Sequence, residues 1–385
     1  MLGLNHETGI RYRHMIASRA IRFGYRAILK PIFFAQDPEV VHDRMTRAGE
    51  SLGRFGCTRS IARFFFHFAD PSLEQDVHGI HFANPIGLAA GFDKNAQLTE
   101  ILPSVGFGFE EAGSITGEYC EGNPKPRLWR LPESKGLVVY YGLKNDGSDA
   151  ISKRLRGKTF TFPVGISVAK TNDASTVEME RGIADYEKAF RSFLDIGDYF
   201  TINISCPNAF GGEPFTTPES LDALLQRIDQ IKTEKSIFLK MPVDLSIAQL
   251  DELVTVADRH RVHGFVLSNL TKKRDRPEIK QQEIQGINKG GISGKPTAAA
   301  SNALIAHLFK RTNGRYIIVG CGGVFSAEDA YEKIRQGATL IQLITGMIFE
   351  GPQLIGEINR GLVRLLQRDG YKNIKEAIGA AHRTI

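Results

Sequence analysis

The sequence predicts a (β/α)8 TIM barrel that is preceded by an N-terminal helical extension. From about residue 82, short apolar or β-branched runs alternate with amphipathic helical stretches. Eight strand–helix units over about 300 residues match such a barrel in number and in size. Polar residues stand near the C-terminal end of each run, and barrels of this class place their active sites at those ends.

The eight predicted strands share aromatic or β-branched residues. In chain order they are Phe82–Ala90, Gly106–Ile115, Pro163–Lys170, Tyr199–Ser205, Ser236–Val243, Gly264–Thr271, Tyr316–Gly322 and Leu340–Ile348. Helices are predicted between them, for example over Ser220–Lys232, with Ser220 as N-cap, and over Ser246–His260. A doubly wound sheet is the rival architecture. It usually carries a GxGxxG fingerprint after its first strand, whereas Gly320–Gly323 comes at the seventh strand and lacks that spacing.

Residues 1–75 are predicted to form the helical extension and residues 76–385 the barrel. The segment Asp37–Glu39 is a good helix start, with aspartate as N-cap and proline at the first helical position. The first 30 residues are rich in arginine and poor in acids. Three interpretations stay open. The first is a helix on an anionic bilayer surface and the second is a helix pair packed on its own domain, and these two can coexist. The third is a cleaved organellar presequence.

The composition limits the function classes. The 385 residues carry a formal net charge of +6. Because the excess lies near the N-terminus, we expect no nucleic-acid surface on the main body. Cys57, Cys120, Cys206 and Cys321 form no CxxC pair, so we expect no metal centre and a reducing compartment. No apolar run reaches the ~20 residues that a membrane-spanning helix needs.

The stretch Tyr199–Asn208 opens as a strand and ends in polar groups. Asn203 and Asn208 can each donate and accept hydrogen bonds. Cys206 stands between them, and a thiol with a reference pKa near ~8.5 can be tuned to act as a base. A buried structural cysteine is the alternative. The neighbouring amides favour the interpretation of Cys206 as a proton acceptor beside a flavin.

Two lysines stand at predicted strand ends. Lys240 lies in an apolar run and needs an anionic partner, which is either the N1/O2 edge of a reduced flavin or a carboxylate of the core. Lys94 follows Gly91 and Asp93, and its alternative is a solvated loop lysine. Glycines near strands seven and eight, including Gly294, Gly323 and Gly346, could bring backbone N–H groups to a phosphate or form simple turns.

Taken together, these strand ends resemble the dihydroorotate dehydrogenase family over about residues 25–365. The matching segments are NPIGLAAGFDKN at Asn84–Asn95, NPKPRLWRL at Asn123–Leu131, NISCPN at Asn203–Asn208, SNLT at Ser268–Thr271, GGISGKP at Gly290–Pro296, GCGG at Gly320–Gly323 and GP at Gly351–Pro352. The segment FFAQDPEVVHDRM at Phe33–Met45 is similar to the extension of the membrane-associated, quinone-using class, in which these helices form the quinone entrance.

The resemblance implies an FMN-dependent enzyme that oxidises dihydroorotate to orotate in pyrimidine synthesis, with quinone as acceptor. It implies peripheral membrane contact, at the cytoplasmic face of the cell membrane or at the inner mitochondrial membrane. By position, the base is Cys206, and the substrate-binding residues are Lys94, Asn203, Asn208 and Asn269. The cofactor-binding residues are Ala90, Gly91, Lys94, Ser114, Ser167, Asn203, Lys240, Ser268, Gly294, Gly323, Thr345 and Gly346, and Arg130 matches an arginine at the quinone entrance.

Four residues depart from the pattern of the quinone-using class. Cys206 stands where that class has serine, and Val139 stands where a substrate-binding asparagine is expected. Ile344 replaces a tyrosine near the quinone path, and Leu270 replaces a threonine or serine that contacts the substrate. Two alternatives therefore remain: a related FMN oxidoreductase acting on another cyclic amide or enone, and a non-catalytic FMN-binding protein. The sequence speaks against the second, because the base, the amides and both lysines are present.

Overall fold

The computed structural model describes Ser18 and residues 20–383. Their centre is a closed barrel of eight parallel strands: β3 (Ile86–Leu88), β4 (Phe109–Ile115), β7 (Val164–Val168), β8 (Tyr199–Asn203), β9 (Ser236–Met241), β10 (Gly264–Leu267), β12 (Ile317–Cys321) and β13 (Leu340–Leu343). Each overlaps one predicted strand, so the predicted (β/α)8 class is confirmed. The last predicted strand was too long, because Thr345–Glu350 is a helix rather than an extension of β13.

Two smaller sheets accompany the barrel. An antiparallel pair consists of β1 (Gln75–Val77) and β2 (Ile80–Phe82). A three-stranded antiparallel sheet consists of β5 (Leu128–Leu131), β6 (Gly136–Val139) and β11 (Gly291–Gly294). This second sheet was not predicted from the sequence, and it carries Arg130 and Val139.

Helices surround the barrel and connect its strands. They are α1 (Lys30–Phe34), α2 (Pro38–Gly53), α3 (Gly56–Phe66), α4 (Leu102–Val105), α5 (Ser148–Leu155), α6 (Met179–Arg191), α7 (Pro218–Asp229), α8 (Ile247–Ala257), α9 (Gln281–Ile284), α10 (Ala298–Thr312), α11 (Ala327–Arg335), α12 (Thr345–Glu350), α13 (Leu354–Arg368) and α14 (Ile374–Ala377). Ser246 caps α8 as a capping box. The N-cap of α7 is Thr217 rather than the predicted Ser220.

The extension packs on the barrel through its helices. Asp37 caps α2 as predicted, accepting a hydrogen bond from the Val40 N–H at 2.9 Å. Arg22 and Arg26 pair with Glu357 and Glu350 of the barrel. The interpretation of helices packed on their own domain therefore describes this part of the chain. The presequence hypothesis rests on the first 30 residues, of which 1–17 and 19 lie outside the described residues.

In the part of the chain that the structure describes, no helix combines the length and apolarity needed to cross a bilayer. The division at residues 75 and 76 stays a prediction.

Alternation along the strands builds layers inside the barrel. Tyr199 of β8 packs beside Phe238 of β9, with ring centroids 5.2 Å apart, in a buried apolar cluster. Two residues further along these strands stand Thr201 and Lys240, which face a buried acid, Glu111. Because side chains alternate across a strand, the polar layer lies above the aromatic one, toward the C-terminal strand ends.

Candidate active site

The polar layer of the barrel is built on Glu111. Its Oε2 accepts hydrogen bonds from Thr201 Oγ1 at 2.8 Å and from Gln342 Nε2 at 2.9 Å. Lys240 Nζ lies 3.8 Å from Glu111 Oε1, and both residues are buried. Of the two partners considered for Lys240 from the sequence, the core carboxylate is present, and it belongs to Glu111. Glu111 Oε1 and Gln342 Oε1 are buried and have no hydrogen-bond partner among the described residues.

A cavity of about 510 Å³ opens above this layer, and we call it the glycine cavity. Its lining residues are Ala89, Ala90, Lys240, Ser268, Asn269, Leu270, Ser293, Gly294, Thr297, Cys321, Gly322, Gly323, Val324, Gln342, Leu343, Ile344, Thr345 and Gly346. Within it, Ser268 Oγ is buried without a hydrogen-bond partner in the described part of the chain. A Cβ at Gly346 would collide with the Val324 carbonyl oxygen, and one at Gly323 would collide with Ala298. At both positions glycine is needed because the neighbouring backbone packs against it, and both residues line the cavity.

A second cavity of about 570 Å³ adjoins the first, and we call it the thiol cavity. The two share Ala90, Lys240, Asn269 and Leu270 as lining residues. The thiol cavity is further lined by Gly91, Lys94, Gly113, Ser114, Val139, Tyr141, Gly142, Leu143, Lys144, Asn203, Cys206, Pro207 and Asn208. The structure thus brings the proposed base, the three asparagines and both lysines to one opening.

Two of the sequence-predicted site residues line neither cavity. Ser167 is fully buried, and its Oγ lies 2.8 Å from Ser114 Oγ. Arg130 instead joins β5 to the extension. Its Nη1 donates to the Gln36 carbonyl at 2.7 Å, and its guanidinium lies 4.8 Å from the centre of the Phe34 ring.

The asparagines form short polar chains around the thiol cavity. Asn203 Nδ2 donates to Ser114 Oγ at 2.8 Å, and Asn269 Nδ2 donates to the Ser205 carbonyl at 2.7 Å. Asn208 Nδ2 donates to the Val139 carbonyl at 2.8 Å. Asn208 Oδ1 is buried and has no partner among the described residues, so one acceptor remains for a ligand.

Cys206 stands at the end of β8, in the loop that follows it. Burial raises the pKa of its thiol to about 11, although the Asn208 backbone N–H and Lys170 act in the opposite direction. Lys170 donates to the Phe210 carbonyl at 2.8 Å and so braces this loop. The sequence predicted a thiol tuned toward a working base, whereas in this structure its pKa moves away from neutrality.

Lys94 is enclosed, so the alternative of a solvated loop lysine does not describe it. Its Nζ lies 3.3 Å from His42 Nε2 and 4.0 Å from the centre of the Tyr141 ring. Burial lowers the pKa of Lys94 to about 7. His42 belongs to α2 of the extension, and its Nδ1 lies 3.1 Å from Asp43 Oδ1. Sequence reasoning missed this contact, although the Phe33–Met45 segment that it matched contains His42.

A family model described as dihydroorotate dehydrogenase matches residues 72–366. The chain belongs to the dihydroorotate dehydrogenase family. A dihydroorotate dehydrogenase (quinone) from Gloeobacter violaceus is 37% identical over 359 residues, covering 92% of this chain and 98% of the relative. One from Natronomonas pharaonis is 36% identical over 356 residues, covering 92% and 99%.

Solved structures of the dihydroorotate dehydrogenase family have the same fold. A crystal structure of DHODH from Eimeria tenella in complex with ferulenol has a TM-score of 0.80 and 27% sequence identity. The match covers 90% of this chain and 96% of that one. The resemblance drawn from the strand-end motifs is therefore confirmed.

Proposed function

We propose that this protein is an FMN-dependent dihydroorotate dehydrogenase that oxidises dihydroorotate to orotate and passes the electrons to quinone. The observation that carries the proposal is the convergence of Cys206, Lys94 and three asparagines on one cavity beside a glycine-lined one. The relatives named dihydroorotate dehydrogenase (quinone) support the same reaction and acceptor.

The glycine cavity fits FMN by its chemistry. Backbone N–H groups near Gly294, Gly323 and Gly346, with the Thr345 hydroxyl, would hold the phosphate, because these residues line the cavity and backbone N–H groups at turns bind anions. The unpaired Ser268 hydroxyl and the Lys240 ammonium would meet polar edges of the ring. Ala90, Gly91, Ser114 and Asn203 would border the ring from the thiol cavity, with Ser167 supporting Ser114. When bound, FMN supplies the acceptor for the hydride that leaves C6 of the substrate.

The chain's own residues would bind the substrate and take its proton. The Lys94 ammonium would bind the carboxylate, and Asn203, Asn208 and Asn269 would orient the pyrimidine ring. The Cys206 sulfur would accept the proton from C5. With a pKa of about 11, roughly one thiol in 10⁴ is ionised at pH 7. Proton abstraction should therefore accelerate as the pH rises.

A second function is favoured by two apolar residues of the thiol cavity. Val139 and Leu270 both line it, where the family pattern has polar side chains. A buried polar edge of orotate left without a partner costs about 1–3 kcal/mol. A related cyclic amide or enone with fewer polar edges would avoid this cost.

Anaerobic incubation with dihydroorotate separates the two functions. Bleaching of the flavin absorbance supports dihydroorotate as substrate. An FMN-loaded protein that does not bleach would reject it, and tight orotate binding that perturbs the flavin spectrum would reject the second function.

The extension would contact a membrane surface and admit quinone past Arg130. Its helical segments expose large apolar side chains, among them Phe23 (72% exposed), Ile28 (58%) and Ile32 (52%). Lys30 stands among them, and a basic, apolar surface of this kind suits an anionic bilayer. The exposed apolar side chains support membrane contact by the extension. The proposal therefore assigns residues 1–75 to a membrane-contact segment, at the cytoplasmic face of a cell membrane or at an inner mitochondrial membrane, and residues 76–385 to the FMN-binding barrel.

A further inference from the structure

A third cavity, of about 750 Å³, adjoins the thiol cavity, and we call it the vestibule. Its lining residues are Tyr140, Pro207, Asn208, Ala209, Lys272, Arg274, Asn288, Lys289 and Gly290. It shares Pro207 and Asn208 with the thiol cavity. These two residues directly follow the proposed base, so the vestibule lies against the loop that carries Cys206.

The charged residues that line the vestibule are all positive, although Glu213 lies close enough to interact electrostatically with Lys272. Lys272, Arg274 and Lys289 line it, and none of its lining residues is acidic. Both lysines are exposed, and within the described residues neither ammonium has an ion-pair partner. The Lys289 ammonium lies 5.0 Å from the centre of the Tyr140 ring, a lining residue, and 5.8 Å from the centre of the Trp129 ring. Asp244 is the acid bonded to the backbone of Lys272. Its carboxylate accepts hydrogen bonds from the Lys272 backbone N–H at 2.7 Å and from Arg276 Nη2 at 2.8 Å.

Arg274 adds an independent indication. Its Nη2 donates to the Lys289 carbonyl at 2.7 Å and to the Gly290 carbonyl at 3.1 Å, so the guanidinium braces the vestibule wall. Its Nη1 is buried and has no hydrogen-bond partner in the described part of the chain. The guanidinium therefore keeps a positive charge at the vestibule wall that, among the described residues, is bonded only to backbone carbonyls.

We propose that the vestibule captures the carboxylate of the substrate and guides it to Lys94, so that Lys272 and Lys289 set the association rate of the anionic substrate. The inference rests on the proposed function, because it takes dihydroorotate and orotate, both carboxylates at neutral pH, as the ligands. Concave openings lined by one sign of charge raise the association rate of an oppositely charged ligand, and salt screens the effect. Dissociation depends on the contacts inside the thiol cavity and is not governed by the vestibule.

Stopped-flow binding of orotate to the FMN-loaded protein, followed by the flavin absorbance, tests this. The variant Lys272→Gln/Lys289→Gln removes two exposed charges, and Lys372→Gln/Lys375→Gln, which removes two exposed charges at and just before α14, is the matched control and should associate like wild type. At about 0.02 M salt, we expect the association rate constant of the double variant to fall about fivefold to tenfold, with dissociation unchanged. At about 0.5 M salt the difference from wild type should vanish, because the screening length is then only a few ångström.

Equal association rates of wild type and double variant at low salt would overturn the inference. A loss that persists at high salt would also overturn it, because that would indicate a packing effect rather than charge. If orotate leaves the flavin spectrum of the wild-type protein unchanged, the proposed substrate is wrong and the inference falls with it. If the protein binds orotate but the association rate constant does not depend on salt, the vestibule inference is overturned while the proposed function stands.

Discussion

Replacing Lys240 with methionine should destabilise the protein strongly, because it leaves a carboxylate buried without its countercharge. Lys240 Nζ lies 3.8 Å from Glu111 Oε1, and two unit charges at that separation attract by about 4 kcal/mol at an effective dielectric constant of about 20. Removal of one partner of a buried pair costs about 3–5 kcal/mol in other proteins. We therefore expect Lys240→Met to lower the free energy of unfolding by about 4 kcal/mol.

Chemical denaturation of the purified variants, followed by circular dichroism, measures this change. The double variant Lys240→Met/Glu111→Gln removes both charges and should recover most of the loss. Lys333→Met is a matched control, because within the described residues the hydrogen bonds of this buried lysine go to neutral groups, Ser301 Oγ at 2.9 Å and Asn302 Oδ1 at 2.8 Å. It should cost about 1–2 kcal/mol. If Lys240→Met and Lys333→Met unfold alike, or if Glu111→Gln gives no rescue, the reasoning about the buried pair is wrong.

Three further predictions concern the membrane, the substrate pocket and its pH dependence. Deleting residues 1–35 removes the exposed side chains of Phe23, Ile28 and Ile32. The deletion should lower liposome binding and quinone turnover while sparing flavin reduction. Unchanged sedimentation with liposomes would contradict membrane binding by the extension. Val139→Asn adds a polar partner in the thiol cavity and should tighten orotate binding by about 1–3 kcal/mol, measured by flavin titration. The control Val41→Asn on α2 should not change the affinity. Equal orotate affinities of the wild type and Val139→Asn would mean that Val139 does not face the substrate. Burial lowers the pKa of Lys94 to about 7, so its positive charge is lost as the pH rises through that value. The orotate Kd should therefore rise above about pH 7 in the wild type but not in Lys94→Met. A wild-type Kd that falls as the pH rises would refute this expectation.

The architecture was accessible from the sequence because most barrel strands are short apolar or β-branched runs. Their alternation with helical stretches and their number sufficed to predict the eight-stranded barrel as a class. The sheet of β5, β6 and β11 was missed because Gly291–Gly294 reads equally well as a glycine turn, and its partner strand β6 lies far away in the chain. Strand pairing of this kind is fixed by tertiary contacts rather than by local propensity.

The sequence was sufficient to predict which residues form the candidate site, but not which residues they contact. The apolar run around Lys240 predicts that the lysine needs an anionic partner. Which acid this is, Glu111, becomes clear only from the closed barrel, which brings the two residues together. The contact of Lys94 with His42 joins two elements, the extension and the first strand end, that no local pattern connects. The direction of the Cys206 pKa shift likewise depends on how completely the fold encloses the thiol.

The pH dependence of flavin reduction by saturating dihydroorotate tests the role of Cys206 most directly. Because burial raises the thiol pKa to about 11, the anaerobic reduction rate should rise about tenfold per pH unit from about pH 7 to about pH 10. Cys206→Ala should lower the rate by about 10²–10⁴-fold and abolish this slope, whereas Cys57→Ala, an exposed cysteine of the extension, should leave both unchanged. A flat profile in the wild type, or full activity in Cys206→Ala, would contradict the assignment of Cys206 as the base.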